Sequence, residues 1–553
     1  MAKKRRKARR VHDEPRPAEP APATSHGGKT CRWFLIVAAF VAGAAVMIIE
    51  LAGNRVLAPW FGNSLYTWTG LIGVILVSIS AGYYLGGYLA DRRPDYLVLS
   101  HLLTASALLT VLVPALQSAL SGPIRSLGVV SGPVLGTMLL FALPGCLLAS
   151  VSPFTIRLIS LLTDDKSVGL SAGTIGMVAT LGSVLGTFGS GFVLIPHLGL
   201  RTVFLTTGLV LAALAVVGYG LFWSRLRRKK AVVAGLVLVL GVAMAAGAFT
   251  GGKARHITIF GASAPVVFEQ DTFYHRIQVA ELPAELSDGE RDTARFLYLD
   301  TTQEGSQFVR SREMVLPYQE YWQLAKLFCP EVRRAAFLGG GAFTWPEALL
   351  DAFPDARVDV VEIDPAVIEV GRKHFRVDEY PTMNAVADDA RRFLQASDAR
   401  YDLIFGDAYH GVHCVPAHLV TREFFELVRD RLSDRGIYVI NAHGPVRGDG
   451  AILFRSLGKT LSEVFPHQCV FTTRPDAPEA VEQNVFLVAA SHDLAVESIL
   501  GGEHPHRQLV DDLFRGYLPP EQYDLADGAV FTDDYNPIEY LAARMLRASQ
   551  PAP

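Results

Sequence analysis

The chain has 553 residues, half of them hydrophobic, and its mean hydropathy of +0.27 is high for a wholly soluble protein. Charge divides it: residues 1–253 carry 23 Lys+Arg against 8 Asp+Glu (net +15), and residues 254–553 carry 28 against 46 (net −18). An acidic surface of that kind draws small cations and turns nucleic acid away; five scattered cysteines (Cys31, Cys146, Cys329, Cys414, Cys469) show no ligand spacing and offer neither a disulfide framework nor a metal site.

In chain order, residues 1–32 open with Lys3-Lys4-Arg5-Arg6-Lys7 and continue Pro/Ala-rich, which predicts a disordered basic tail on the cytoplasmic side of a membrane. Apolar segments follow at 33–53, 68–90, 97–117, 131–152, 170–194, 203–223 and 231–249. Each is long enough to cross ~30 Å of hydrocarbon, so residues 33–250 read as an α-helical multi-pass bundle of about seven spans. Basic clusters at Arg92-Arg93 and Arg225–Lys230 fall on the tail's side if every segment crosses. Seven crossings put residues 254–553 outside the cytoplasm, which conflicts with an intracellular co-substrate; the side of the soluble part stays open at this point. Glu50 and Arg55 are either an internal pair at the membrane boundary or polar groups facing a passage. Gly182, Gly186, Gly189 and Gly191 predict close helix packing.

Residues 251–330 read as a small β-rich subdomain, with strands around Val266–Phe268, Tyr274–Glu281 and Phe296–Asp300 and a helix over Tyr318–Phe328. From 331 to 545 strands alternate with helices, the mark of an α/β Rossmann-like domain with a parallel sheet. A strand from Arg334 runs into Gly339-Gly340-Gly341, then a helix, then a strand ending Glu362-Ile-Asp364. Glu362 follows Gly341 by 21 positions, the spacing of a carboxylate that grips ribose hydroxyls. The third glycine of a dinucleotide fingerprint is missing, because its place holds Thr344; a nucleoside without pyrophosphate, such as S-adenosylmethionine or a relative, fits better than NAD. Asp389 either accepts from an adenine amino group or caps its own helix. Asp407, at the end of the strand Tyr401–Gly406, points to the ligand cleft of an open sheet.

Taken together, Tyr274-His-Arg-Ile-Gln-Val, Leu299-Asp300, Tyr318-Gln319-Glu320, Gly339–Gly341, Glu362-Ile-Asp364, Asp389, Tyr401–Asp407 and Thr421-Arg-Glu-Phe-Phe425 resemble the spermidine synthase (polyamine aminopropyltransferase) family over about 266–545. Glu50-Leu-Ala-Gly-Asn-Arg-Val-Leu-Ala-Pro59, Phe61-Gly62 and Trp68 resemble the membrane part of bacterial fused members. The resemblance implies transfer of an aminopropyl group from decarboxylated S-adenosylmethionine to a polyamine or other small cationic amine, without a metal, on a lipid bilayer, in a possible homo-oligomer. It implies a donor site at Gly339, Gly340, Gly341, Glu362, Asp364 and Asp389, an amine site at Tyr274, His275, Gln319, Glu320 and Tyr409, and chemistry at Asp407 and His410. Two positions depart from the family pattern: Ala342 stands where an amine-contacting Asp is usual, and His410 where the second Asp of the Asp-x-x-Asp element belongs. The rivals are a methyltransferase using intact S-adenosylmethionine, and a transporter or sensor whose synthase-like domain does not turn over. Asp533 and Asp534 either edge the amine site or form a capped turn.

Overall fold

A computed structural model describes the chain except residues 1–24, 62–63, 126, 163–167, 223–232, 234–240, 242–255, 273, 287–288, 410–414, 478–480, 502–506 and 549–553. Six helices in the described N-terminal part are long and apolar enough to span a membrane. They are α1 (Ser25–Phe61), α2 (Leu65–Arg92), α3 (Tyr96–Arg125), α4 (Gly128–Leu162), α5 (Val168–Gly189) and α6 (Ile195–Leu221), with a π-helical turn Ser190–Leu194 joining the last two. The expected span 231–249 lies outside the described residues, apart from Val233 and Gly241. Leu76, Val77, Leu143, Leu185 and Phe188 stand exposed around the bundle.

Small residues set the helix directions. A Cβ on Gly182 would fall 2.1 Å from the Phe40 carbonyl, and one on Gly186 2.5 Å from that of Ala44, so α1 and α5 run parallel with backbones in contact. Gly189, by contrast, faces open space. Gly82 and Gly86 meet Cys146 and Ser150, making α2 and α4 parallel; Gly53 meets Phe141 while Gly136 meets Leu57, making α1 and α4 antiparallel. Gly218 lies against Ser100 and Phe34, and Gly132 against Phe61. One end of the bundle therefore holds Phe34, Ser100 and Gly218, and the other holds Phe61 and Gly132.

The rest of the chain forms two sheets. The first is an antiparallel meander: β1 (His256–Ile259), β2 (Ala262–Asp271), β3 (Arg276–Glu285), β4 (Arg291–Leu299) and β5 (Thr302–Phe308), in that order. Five strands replace the three expected. The second contains β6 (Arg334–Leu338), β7 (Arg357–Glu362), β8 (Met383–Ala387), β9 (Tyr401–Gly406), β10 (Leu432–His443), β11 (His467–Thr472), β12 (Asn484–Ala490) and β13 (Tyr517–Leu518). Its order is β13-β11-β12-β10-β9-β6-β7-β8, parallel from β8 through β10 and antiparallel beyond. Val358, Val360 and Val361 of β7 and Leu403, Ile404 and Phe405 of β9 are all buried, the continuous apolar run that a strand covered on both faces requires. The helical stretch expected at Tyr318–Phe328 is a 3-10 segment, Pro317–Gln323, followed by one α-turn, Leu324–Phe328.

The soluble part seats on the Phe61 end of the bundle. Thr301 Oγ1 donates to the Pro59 carbonyl at 2.9 Å, the Leu65 N–H donates to the Glu539 carboxylate, and Arg55 donates to the carbonyls of Tyr274 and Thr272. This corrects the expected pairing of Glu50 with Arg55, since no such ion pair occurs among the described residues. At 100° per residue, positions five apart on a helix point about 140° away from each other. Arg55 looks out of the bundle toward the soluble part instead.

Candidate functional site

Open parallel sheets bind ligands beyond the carboxyl ends of their strands, where the order reverses. That place lies between β6 and β9. The turn after β6 is Gly339–Gly341, and Asp407 follows the last residue of β9. Gly339 has φ +111, and a Cβ there would sit 2.4 Å from the Asp407 carbonyl oxygen; Gly341 has φ +47 and would press its Cβ to 2.7 Å from the Glu304 carbonyl. Only glycine accepts that backbone and that contact. The turn is thus wedged between the tip of β9 and the start of β5, and Gly340 N–H donates to Glu362 Oε2 at 3.0 Å.

Two cavities meet there. The larger, about 430 Å³, is walled on the sheet side by Gly339, Gly341, Glu362, Asp389, Asp407 and Tyr409, and on the meander side by Tyr274, His275 and Asp300. The smaller, about 180 Å³, is lined by Tyr318, Ala342, Trp345, Asn441, His443 and Asn484. Glu304, Asp407, Gly339 and Tyr409 belong to both.

Asp407 Oδ1 accepts from Asn441 Nδ2 at 2.8 Å, and Asn441 Oδ1 in turn accepts from Asn484 at 3.2 Å. Burial pushes the Asp407 carboxyl up to about 8, helped by the charge of Glu304 and opposed by Asn441. Glu304 is pushed up to about 7, by burial and by the charges of Glu362 and Asp300, against the nearby His275. Burial beside Asp407 and Glu304 raises the Tyr318 phenol as well. A group so placed is poised to exchange protons near neutrality.

Glu362 takes backbone N–H groups on both oxygens, from Gly340 and, at 3.0 Å, from Asp364. Burial raises its carboxyl, and those two donors pull the other way. Asp389 caps the helix Ala390–Ala396 through Arg392 N–H (2.9 Å) and meets His418 Nε2 at 2.7 Å. Burial pushes this carboxyl up, but the Arg392 N–H and His418 outweigh it and hold it below the usual range. His275 Nδ1 lies 3.3 Å from Asp300 Oδ2; burial lowers its pKa, yet the hydrogen bond and charge of Asp300 leave it raised. The Tyr409 hydroxyl donates to the Asn441 carbonyl at 3.0 Å.

The spermine/spermidine synthase domain profile matches residues 322–497, the segment that holds the glycine turn, Glu362, Asp389 and Asp407. The chain carries a spermine/spermidine synthase domain. A polyamine aminopropyltransferase of Corynebacterium efficiens is 26% identical over 535 residues, which cover 88% of this chain and 96% of that protein. One of Mycobacterium tuberculosis is 25% identical over 444 residues, covering 75% and 78%. Alignments of that length take in the membrane helices along with the synthase domain. The crystal structure of a probable spermidine synthase from Corynebacterium glutamicum covers 49% of this chain and 97% of its own, at 21% identity and a TM-score of 0.38.

The synthase domain places the expected site residues unequally. Gly339, Gly341, Glu362, Asp389, Asp407, Tyr274, His275 and Tyr409 line the larger cavity, and Gly340 lines the smaller. Two expected site residues, Asp364 and Glu320, line neither cavity. Asp364 caps the helix Pro365–His374 through Ala366 N–H (3.0 Å) and accepts from Thr272 Oγ1 (2.5 Å), turned away from both cavities. Gln319 lines the smaller cavity, with its amide bonded to Ser306, Leu316 and Thr344. Glu320 is exposed and accepts from Gln323 outside either cavity. His410 lies outside the described residues. Asp533 pairs with Arg391 at 2.6–2.7 Å and is no part of the cavity wall.

Sequence reasoning missed Glu304, Asn441 and Asn484, and from the membrane helices Asn54, Arg55 and Trp68, which line the larger cavity. Glu304 sits in the polar run Thr302-Gln-Glu-Gly305 with nothing local to distinguish it from a solvated strand edge.

Proposed function

We propose that the protein is a membrane-bound aminopropyltransferase that moves the aminopropyl group of decarboxylated S-adenosylmethionine to a small polyamine and releases methylthioadenosine. The observation that carries this reading is the pair of cavities joined at Glu304 and Asp407, a larger chamber with a ribose-type carboxylate and a smaller polar one. The donor nucleoside fits the larger chamber, with Glu362 on the ribose hydroxyls, Asp389 toward the adenine and the glycine turn beneath. The acceptor amine fits the smaller chamber, which opens onto the same two carboxylates.

The chemistry asks little beyond alignment, because a sulfonium is an excellent leaving group. A neutral amine nitrogen attacks the aminopropyl carbon next to sulfur and forms the C–N bond. The C–S bond breaks, its electron pair returns to sulfur as a thioether, and the new ammonium loses a proton to Asp407. A carboxylate with its pKa raised by burial matches that role near neutral pH. Cationic substrates beside Asp407 and Glu304 favour the ionised carboxylates that hold them. Glu304, against the glycine turn, supplies a carboxylate close to where Ala342 withholds one.

The polarity of the bundle bears on where this takes place. Arg92 and Arg93 close α2, and Arg157 near the end of α4 pairs with Asp91 at 3.5 Å; all belong to the Phe34 end, where α6 also ends. The synthase domain sits at the opposite end. We infer an odd number of crossings, with the apolar stretch 231–249 as the seventh, a cytoplasmic tail and a site on the far face. Both substrates must then be present on that face or be delivered to it.

Methyl transfer from intact S-adenosylmethionine is the second reading, because Arg55 lines the larger cavity and is a cation of the kind a donor carboxylate needs. Its two terminal nitrogens are, however, already given to backbone carbonyls. Purified full-length protein in detergent, offered decarboxylated S-adenosylmethionine with putrescine, spermidine or cadaverine, should release methylthioadenosine only when an amine is present. S-adenosylhomocysteine from intact S-adenosylmethionine, with no methylthioadenosine from any amine, would overturn the proposal in favour of methyl transfer. Neither product, from protein that binds methylthioadenosine, would leave a sensor.

A further inference from the structure

The larger cavity is not closed by the synthase domain alone. Asn54, Arg55 and Ala58 of α1, Trp68 of α2, Gly191 of the π-turn and Ile195 of α6 form its remaining wall. They come from three separate places in the bundle, brought together at the Phe61 end, where the helices stop. Asn54 is 3% exposed, so the helix end is packed into the junction and does not hang over open solvent.

Arg55 is fixed most firmly. Its guanidinium donates through Nη2 to the Thr272 carbonyl at 3.2 Å and through Nη1 to the Tyr274 carbonyl. These two carbonyls bracket the turn between β2 and β3. The turn has its own lock: the Thr272 N–H donates to the His275 carbonyl at 2.8 Å, and Thr272 Oγ1 accepts the N–H groups of Tyr274 (3.1 Å) and His275 (2.9 Å) while donating to Asp364. The product of this arrangement is a pair of side chains, Tyr274 and His275, presented to the cavity. A planar two-pronged cation can hold two carbonyls at fixed spacing, and an ammonium group cannot.

We infer that the membrane bundle is part of the binding site: Arg55 is a positioning residue that sets the Tyr274–His275 turn, and Trp68 is a direct wall of the nucleoside chamber. This rests on the proposed nucleoside site, and it assigns the bundle a role in ligand binding as well as in anchoring. The ligand class is an adenine nucleoside thioether or sulfonium, whose flat base gives the Trp68 indole a stacking partner.

The test uses the full-length protein in detergent with methylthioadenosine as the probe, and reads affinity by calorimetry and Trp68 by fluorescence. Wild-type protein should bind with quenching. Arg55→Ala should weaken binding at least about tenfold, Arg55→Lys should recover only part of that loss, and both should keep the wild-type unfolding temperature within a few degrees. Trp68→Phe should weaken binding severalfold, less than Arg55→Ala does, and lose most of the quenching. Leu76→Ala, a lipid-facing control, should change neither. If Arg55→Ala binds within about twofold of wild type, or Trp68→Phe quenches as fully, the inference is wrong while the nucleoside site stands. If the wild type itself does not bind methylthioadenosine, the proposed function falls and takes this inference with it. Steady-state rates give a second readout: a positioning defect should raise the donor KM more than it lowers kcat.

Discussion

Asn441, near the end of β10, donates its side-chain amide to Asp407 at the tip of β9, at 2.8 Å. The two are 34 residues apart in sequence, on neighbouring strands of the sheet, and the bond fixes one carboxylate oxygen of a residue that lines both cavities. Asp407→Asn keeps the shape and removes the proton acceptor. Turnover, measured as methylthioadenosine release, should fall by about 10²–10⁴-fold while methylthioadenosine still binds. Asn441→Ala should cost less, because the carboxylate remains but swings.

Glu304 offers a sharper test of the amine chamber. Glu304→Gln preserves size and removes a charge that a cationic acceptor would meet. The acceptor KM should rise by at least about tenfold, with the donor KM nearly unchanged. An equal rise in both would place Glu304 on the donor instead.

Both carboxyls are raised on folding, Asp407 from 3.8 to about 8 and Glu304 from 4.5 to about 7. The folded protein therefore holds more protons than the unfolded chain between those values. The stability these groups contribute is complete below about pH 4 and is lost as pH rises toward 8. Asp407→Asn removes part of that loss. Its unfolding temperature relative to wild type should climb between about pH 4 and pH 8 and level off above that, read by thermal scans across buffers.

The glycine turn should tolerate no side chain at its first position. Gly339→Ala demands φ +111 of an alanine and drives its Cβ to 2.4 Å from the Asp407 carbonyl. A loss of at least about 2 kcal/mol in stability is expected, with displacement of the β9 tip and of Asp407 itself. Denaturant unfolding and turnover measured together would show both effects.

The polarity of the bundle is open to labelling in intact cells. A cysteine at Glu320, exposed on the synthase domain, should react with a membrane-impermeant maleimide added outside. A cysteine at Arg93 should react only after permeabilisation. Reaction of both from the same side would mean an even number of crossings and would remove the far-face assignment.

The sequence by itself determined that long apolar helices precede an α/β domain, and that the glycine turn, Glu362 and Asp407 lie at its strand tips. Unbroken apolar runs of that length are suited to crossing a bilayer. Strands buried on both faces advertise themselves as apolar stretches, and the glycine turn, Glu362 and Asp407 sit where the chain must turn at strand tips, so local spacing was enough to find them. It did not separate Glu320 and Asp364, which line neither cavity, from the residues that do, because a polar side chain at a surface or helix cap and one that faces a cavity look the same in one dimension. The tertiary structure alone decided that Glu304 and Asp407 line the same two cavities, that Asn441 steadies Asp407, and that Arg55 reaches a turn 219 residues away. Those relations join strands and helices distant in the chain, and they exist only once packing has fixed the distances between them.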